Sequence, residues 1–335
     1  MPTIRDVAQH AGVAPITVSR VVNQDGYVSD ETRARVEAAI AELGYVPNRL
    51  ARGLRSKRTN TLGLVLTDIA NPFWTTVARG VEDAAEAEGF SVILCNTDES
   101  EHKQEAYLHV LLQKQVDGFV LAPARSNAAP VTLIQQQDVP VVVIDRRVPV
   151  DVDTVRCDSE GGAYQLTRHL LDLGHRHIAI LSSSAFVSTA EDRVAGYRRA
   201  LQEADLPVDD AYIFHREFTQ AAGDAMARQA MALTPCPTAL FAVNNFIAIG
   251  AYKAVREMGL HVPDDASVVA FDDLPLALVI EPFLTVASQP AYAMGRRATE
   301  LLLQRLSNDA TEPCQHIVLP TTLIVRQSSG LPKSE

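Results

Sequence analysis

Apolar residues recur at helical spacing three times within the first forty-five positions. Ile4, Val7 and Ala8 share one face of a first helix. Thr3 precedes it as a residue type that can cap its start, and Asp6 lies in the first turn, where the helix dipole favours a carboxylate. Gly12 breaks the pattern as a tight interhelical turn requires. A second short helix is expected from about Pro15 to Asn23, with Pro15 suited to its first turn and Val18, Val21 and Val22 on its inner face. Ser29 caps a third helix, Asp30 to Leu43, in which Val36, Ile40 and Leu43 repeat; Gly44 ends it.

From Thr61 the period changes. Apolar strands read Leu62–Leu66, Val92–Leu94, Gly118–Leu121, Val141–Ile144, His177–Leu181, Ala239–Val243 and Ser267–Phe271. Near-continuous apolar runs of this kind fit parallel strands buried on both faces. Helices intervene, such as Pro72 to Glu88, started by Asn71 and stopped by Gly89, with Phe73, Val77, Val81 and Ala84 along one side. The alternation predicts right-handed βαβ units, and enough of them for two sheets with a ligand cleft at the strands' carboxyl ends.

Three short helices with a glycine between the first two describe a helix-turn-helix unit as well as a generic bundle. The outer face of the second helix separates the readings. Pro15, Ile16, Thr17, Ser19 and Arg20 include few residues that a core needs. An exposed Arg there can donate twice to a guanine edge, and Ile16 can meet a thymine methyl. Charge supports this. The 335-residue chain carries a net −11, yet residues 1–60 hold nine Lys/Arg against six Asp/Glu. Arg49, Arg52, Arg55, Lys57 and Arg58 concentrate that surplus beside the helices, as a nucleic-acid contact would.

The residues then resemble a known family. Thr3-Ile4-Arg5-Asp6-Val7-Ala8, Gly12-Val13, Thr17-Val18-Ser19-Arg20-Val21-Val22-Asn23, Leu43-Gly44-Tyr45, Pro47-Asn48 and Ala51-Arg52-Gly53-Leu54 are similar to the signature of the lactose-repressor (LacI/GalR) family. Ala14 departs from it, standing where the family usually has a capping Ser; a missing cap costs roughly 1 kcal/mol. The resemblance implies an N-terminal all-α helix-turn-helix domain (1–46), a hinge helix and linker (47–60), and a two-lobed α/β sensor like type I periplasmic binding proteins (61–330). Its N-lobe would span about 61–158 and 287–318, its C-lobe about 159–286 and 319–330. DNA contacts would come from Thr3, Pro15, Ile16, Thr17, Ser19, Arg20, Asn23, Asn48, Ala51, Arg52, Leu54 and Arg55. A hinge helix at 48–55 is too short to be stable alone, so it would fold on DNA with Leu54 as a wedge in the minor groove; Leu50 and Leu54 are one helical turn apart.

The same resemblance places Phe73, Trp74, Arg193, Asn245 and Asp272 at an effector cleft. Phe218 offers a further aromatic face there. On spacing alone Phe73 serves helix packing equally well. Asn245 stands where the family usually has Asp, and an amide both donates and accepts. Other chemistry finds little footing. The chain lacks a G-x-S-x-G elbow, a phosphate-binding glycine loop and a dinucleotide fingerprint. His175-Arg176-His177 has no partner ligands nearby for a metal, and Asp272-Asp273 reads better as a ligand or loop contact than as an acid–base pair. No cofactor is expected. Four dispersed cysteines read as buried reduced thiols.

The expected protein is a transcriptional regulator and a repressor, in the cytoplasm, given an N-terminus without an apolar signal region. Its partners would be double-stranded, pseudo-palindromic operator DNA and a small polar effector, a sugar by preference. It would be a homodimer, because the tail Ser328–Glu335 cannot supply a coiled-coil seam. A transport binding protein and an α/β enzyme are the rivals, opposed by the helix-turn-helix and by the missing catalytic motifs.

Overall fold

The computed structural model describes residues 2–23, 25–46, 58–274, 282–307 and 313–333. The chain divides into two compact units, Met1–Thr59 and Asn60–Glu335. The first contains α1 (Ile4–Ala11), α2 (Pro15–Asn23) and α3 (Asp30–Leu43) around Val7, Ala8, Val18, Val21, Val36 and Ala39. Thr3 opens α1 in a reciprocal arrangement: its hydroxyl accepts from the Asp6 N–H while its own N–H donates to the Asp6 carboxylate at 2.7 Å. That backbone donor, followed by the Thr3 hydroxyl, holds the Asp6 carboxyl below its usual range. Gly12 takes a left-handed conformation (φ 63°), and Arg35 from α3 reaches back to the Ala11 and Gly12 carbonyls that α1 leaves unpaired. The α1–α2 turn is therefore pinned from the third helix.

The second unit is built on two parallel sheets with the same strand pattern. One contains β1 (Thr61–Leu66), β2 (Ser91–Asn96), β3 (Gly118–Leu121), β4 (Val141–Ile144), β5 (Asp153–Cys157) and β11 (His316–Leu319), in the order β11-β5-β4-β3-β1-β2. The other contains β6 (Ile178–Ser182), β7 (Ile213–His215), β8 (Ala239–Ala242), β9 (Ser267–Phe271), β10 (Thr285–Ser288) and β12 (Thr322–Ile324), in the order β12-β10-β9-β8-β6-β7. Among the described residues, only the β10–β12 pairing is antiparallel. Around the first sheet lie α4 (Pro72–Ala87), α5 (Glu101–Gln113), α6 (Ala129–Gln135) and α11 (Ala291–Ser307); around the second lie α7 (Ser159–Asp172), α8 (Ser188–Glu203), α9 (Gln220–Met231) and α10 (Asn245–Glu257). The chain crosses between lobes after β5, β10 and β11.

The seven apolar runs are all strands, as the sequence implies. The other five strands carry weaker signals: β7, β11 and β12 are short, half-exposed edges. The cysteine expectation holds for Cys95 and Cys157, which are buried; Cys236 is exposed, because it follows α9 in a surface turn.

Helix pairs cross backbone to backbone at several glycines, and two of these crossings involve α4 and α10. A Cβ on Gly295 of α11 would lie 2.0 Å from the Val77 carbonyl oxygen, and one on Gly80 of α4 would lie 2.1 Å from that of Tyr292. Gly223 and Gly250 make the same kind of crossing between α9 and α10. These crossings fix the two helices, α4 and α10, whose N-termini carry Asn71 and Asn245. Gly295→Ala should push α11 off α4 at an overpacking cost of about 1–3 kcal/mol. Thermal unfolding should show a clear drop in melting temperature; an unchanged midpoint would mean that the helices separate without cost.

Candidate functional site

On α2 the inward residues are valines, which leaves Pro15, Ile16 and Arg20 exposed and Thr17, Ser19 and Asn23 half-buried. Ile16 is 56% exposed, unusual for so apolar a side chain. Asn23 donates to the Ser19 hydroxyl at 3.1 Å, tying two of the expected contact residues together. Without a side-chain cap at Ala14, α2 starts from backbone bonds of Thr17 and Val18 to the Ala14 carbonyl. Gly26, at φ 74°, lies close against Arg20: a Cβ there would stand 3.6 Å from Arg20 Nε. The following Tyr27 is 90% exposed, a residue the sequence reading did not select. Thr3 is committed to its cap. Asn48, Ala51, Arg52, Leu54 and Arg55, with the hinge helix, lie outside the described residues.

The cleft forms where the two sheets present their carboxyl ends. β4 and β9 hold equivalent places in the two sheet orders, and each is followed directly by an aspartate: Asp145 (φ 65°) and Asp272 (φ 70°). A left-handed aspartate at a strand end turns the chain and its carboxylate together. Both line a cavity of about 320 Å³ with Arg193 of α8, Arg146, Glu99, Asp98, Asp68, Glu217 and Gln289. Phe73 and Trp74 wall it from one lobe, their rings edge-on at 4.9 Å, and Phe218 from the other. Phe73 and Trp74 also belong to the first lobe's core, so packing and lining are both true of them.

The arginines differ in how they are held. Arg146 forks onto Glu99 at 2.6 and 2.8 Å and donates to the Pro123 and Ala124 carbonyls. Arg193 is 3% exposed, donates to the Val243 carbonyl at 2.6 Å and stacks 3.8 Å above the Phe271 ring. Its Nε has no hydrogen-bond partner among the described residues, nor have Gln289 Oε1 and Arg146 Nε, the last standing 3.9 Å from the Asp145 carboxylate. Burial pushes the Asp145 carboxyl up to about 6, against the pull of Arg193 and Arg146. Burial likewise raises Asp272, opposed by Arg193 and by the Gln289 amide that donates to it. Asp273 faces elsewhere, onto Arg326 at 2.6 and 2.7 Å, so the adjacent aspartates do different work.

Asn245 is the expected cleft residue that the structure places differently. It is fully buried and does not line the cavity. Its amide pairs with that of Asn71, each Nδ2 donating to the other Oδ1 at 3.0 Å across the two lobes. The opposite rim is joined by the Ser188 hydroxyl accepting from the Arg147 N–H, and by Arg147 on Asp192 at 2.6 Å. Asp145, Arg146, Glu99 and Gln289 escaped the sequence reading. Asp145 had a signal: Val-Val-Val-Ile-Asp repeats the form of Val-Val-Ala-Phe-Asp, which ends at Asp272. His175 holds the second lobe's C-terminal segment, reaching Thr238, Ser267 and the Gly330 carbonyl at 2.8–3.1 Å.

A helix-turn-helix ahead of a two-lobed polar cleft defines a ligand-responsive DNA-binding protein as a class. Residues 59–326 match the family of periplasmic binding proteins and the sugar-binding domain of the LacI family, and residues 3–48 match the lacI family of bacterial regulatory proteins. The chain belongs to the LacI family. It is 37% identical over 329 residues to the ribose operon repressor of Halalkalibacterium halodurans, covering 98% of this chain and 97% of that protein. It is also 37% identical over 332 residues to the transcriptional regulator DegA of Bacillus subtilis, covering 98% of each. Among solved structures, the lac repressor dimer bound to operator and the anti-inducer ONPF superimposes with a TM-score of 0.85 at 29% identity, over 98% of this chain and 99% of that one. A complex of the transcriptional regulator CelR with cellobiose gives 0.75 at 34% identity, over 98% and 100%. No helix among the described residues is long and apolar enough to cross a membrane.

Asp145 makes the fold pH-dependent with a definite sign. Its folded pKa, about 6, lies above the roughly 3.9 of an unfolded Asp, so folding takes up a proton between the two values. Its contribution is most favourable below about pH 4, declines as pH rises to about 6, and is level above that. The decline is on the order of 2–3 kcal/mol at most. Asp145→Asn should abolish it, raising the melting temperature at pH 7 with little change at pH 4. Parallel melting curves for wild type and variant across that range would assign the titration to another group.

Proposed function

We propose that this chain is a cytoplasmic transcriptional repressor that binds a pseudo-palindromic operator as a two-fold dimer and changes its affinity when a sugar enters the cleft. The observation that carries the reading is the cleft itself: Arg193, nearly buried and with an unpartnered Nε, set among carboxylates from both lobes, in a chain that begins with a helix-turn-helix. A hydroxylated ligand satisfies such a set because each hydroxyl both donates and accepts. The family relatives are transcriptional regulators, which favours regulation over catalysis. The division is a DNA-binding domain at 1–46, a hinge at 47–60 and a sensor at 61–330. Ligand contacts are assigned to Phe73, Trp74, Arg193, Phe218 and Asp272. Asn245 contributes by holding the lobes together.

On the DNA side, Arg20 and Ile16 are the base-reading residues, with Pro15, Thr17, Ser19 and Asn23 around them. Ligand and operator are coupled if closing the cleft alters the separation of the two DNA-binding units in the dimer.

Gel shifts with genomic fragments identify an operator. On it, Arg20→Ala should cost about 1–3 kcal/mol and relax selectivity at one base pair per half-site. Equal losses on operator and random DNA would place Arg20 on phosphate instead. Arg193→Ala and Asp272→Ala should keep operator affinity within a few-fold of wild type while losing the response to the sugar. A variant that responds at the wild-type concentration would remove that residue from the site.

A further inference from the structure

We infer that the cleft takes an uncharged polyol of about one sugar ring and rejects metabolites that carry a phosphate or carboxylate. This rests on the reading of the cleft as the effector site, and it follows from how each positive group in the cavity is already used.

An anion needs a cation with charge to spare, or a row of free backbone N–H groups. Among the described residues the cavity offers no cation outside the field of a carboxylate, and three of the helix starts on its border are capped. Its lining has two guanidiniums, Arg146 and Arg193, against six carboxylates: Asp68, Asp98, Glu99, Asp145, Glu217 and Asp272. Arg146 is clamped in a bidentate pair by Glu99 and by two carbonyls. Arg193 stands in the fields of Asp145 from one lobe and Asp272 from the other. A phosphate brought beside Arg193 would meet both carboxylates at close quarters in a site of low polarisability, where like charges repel strongly.

The usual home for a phosphate in such a fold is a helix N-terminus. Here three of the helix starts that border the cavity, those of α4, α9 and α10, are capped by a side chain, while α8 has no side-chain cap and gives its first N–H elsewhere. Asn71 accepts the Phe73 N–H at the start of α4, Thr219 accepts the Ala222 N–H at α9, and Asn244 accepts the Ile247 N–H at α10. At α8 the first N–H, that of Ser188, donates to the Ser126 hydroxyl.

What remains open is two-sided, offering donors and an acceptor together. Arg193 Nε and Arg146 Nε are unmet donors, while Gln289 Oε1 is an unmet acceptor beside the Asp272 carboxylate. Adjacent hydroxyls can accept from the guanidinium and donate to the carboxylates at once; a phosphate or carboxylate can only accept. Phe73 and Trp74 on one wall and Phe218 on the other suit the C–H faces of a ring. A cavity of about 320 Å³ sits at the small end of ligand pockets, which run from roughly 300 to 1,000 Å³.

The test uses the full-length protein and matched probes: the common aldopentoses, aldohexoses, ketohexoses and alditols, each beside its terminal phosphate and uronic acid, with free purine bases as a separate arm. Thermal shift ranks them and calorimetry gives affinities. At least one uncharged polyol should stabilise the protein, its phosphate and uronate should bind at least tenfold more weakly, and Arg193→Ala should lose the stabilisation. Glu217→Lys, a change at an exposed lining position that leaves the core untouched, should narrow the discrimination against the phosphate at least threefold. Tighter binding of the anionic form, stabilisation by purine bases alone, or no response to any uncharged member would overturn the inference. Operator binding measured in the same samples separates it from the reading beneath it. A polyol that binds without altering operator affinity leaves the chemistry standing and removes the effector role. A sugar phosphate that releases the operator from wild type but not from Arg193→Ala keeps the effector site and removes the charge selectivity.

Discussion

A guanidinium taken out of water is tolerated only where compensating charge and hydrogen-bond acceptors surround it, and the sensor unit is organised around one such group. Arg193 projects from α8 with 3% of its surface exposed, held by a carbonyl and an aromatic face and standing in the fields of two aspartates. Asp272 follows β9 in its own lobe; Asp145 follows β4 in the other. The positive charge is thus balanced from both sheets. The cost is visible in the aspartates, whose carboxyls burial raises in spite of the arginine. A ligand that hydrogen-bonds this set replaces the water that each group lost.

The repeated strand pattern explains why this geometry exists. Two sheets with matching orders bring equivalent strand ends face to face, so one structural device, an aspartate in left-handed conformation after a buried strand, appears on both sides of the cleft. The glycine crossings hold α4 and α10 tightly enough against their neighbours that Asn71 and Asn245 meet at hydrogen-bonding distance.

Much of this was readable before any coordinates. The α1–α3 unit and seven of the strands announce themselves through period, while Phe73, Trp74, Arg193 and Asp272 come to the cleft through the family resemblance. Asp145 was overlooked although its strand repeats the pattern around Asp272, because the two lie 127 positions apart and only the sheet order makes them partners. Glu99, Arg146 and Gln289 sit on loops, where no period operates, and their meaning depends on contacts across the fold. Asn245 shows the opposite failure. Its place in a motif pointed to a ligand contact, yet Asn71, 174 residues away, takes up its amide. The edge strands β7, β11 and β12 are half-exposed, and their runs of two or three apolar residues are a weak strand signal.

The Asn71–Asn245 pair also sets what the sensor ignores. Two neutral amides exchange hydrogen bonds without net charge, so neither dissolved salt nor pH in the ordinary range alters their attraction to first order. Operator binding is the opposite, because displacing counterions from phosphates makes it steeply dependent on ionic strength. Fluctuations in cellular salt therefore reach the DNA-binding face and the half-exposed Arg147–Asp192 pair on the opposite rim, while the Asn71–Asn245 rim of the cleft stays indifferent to them.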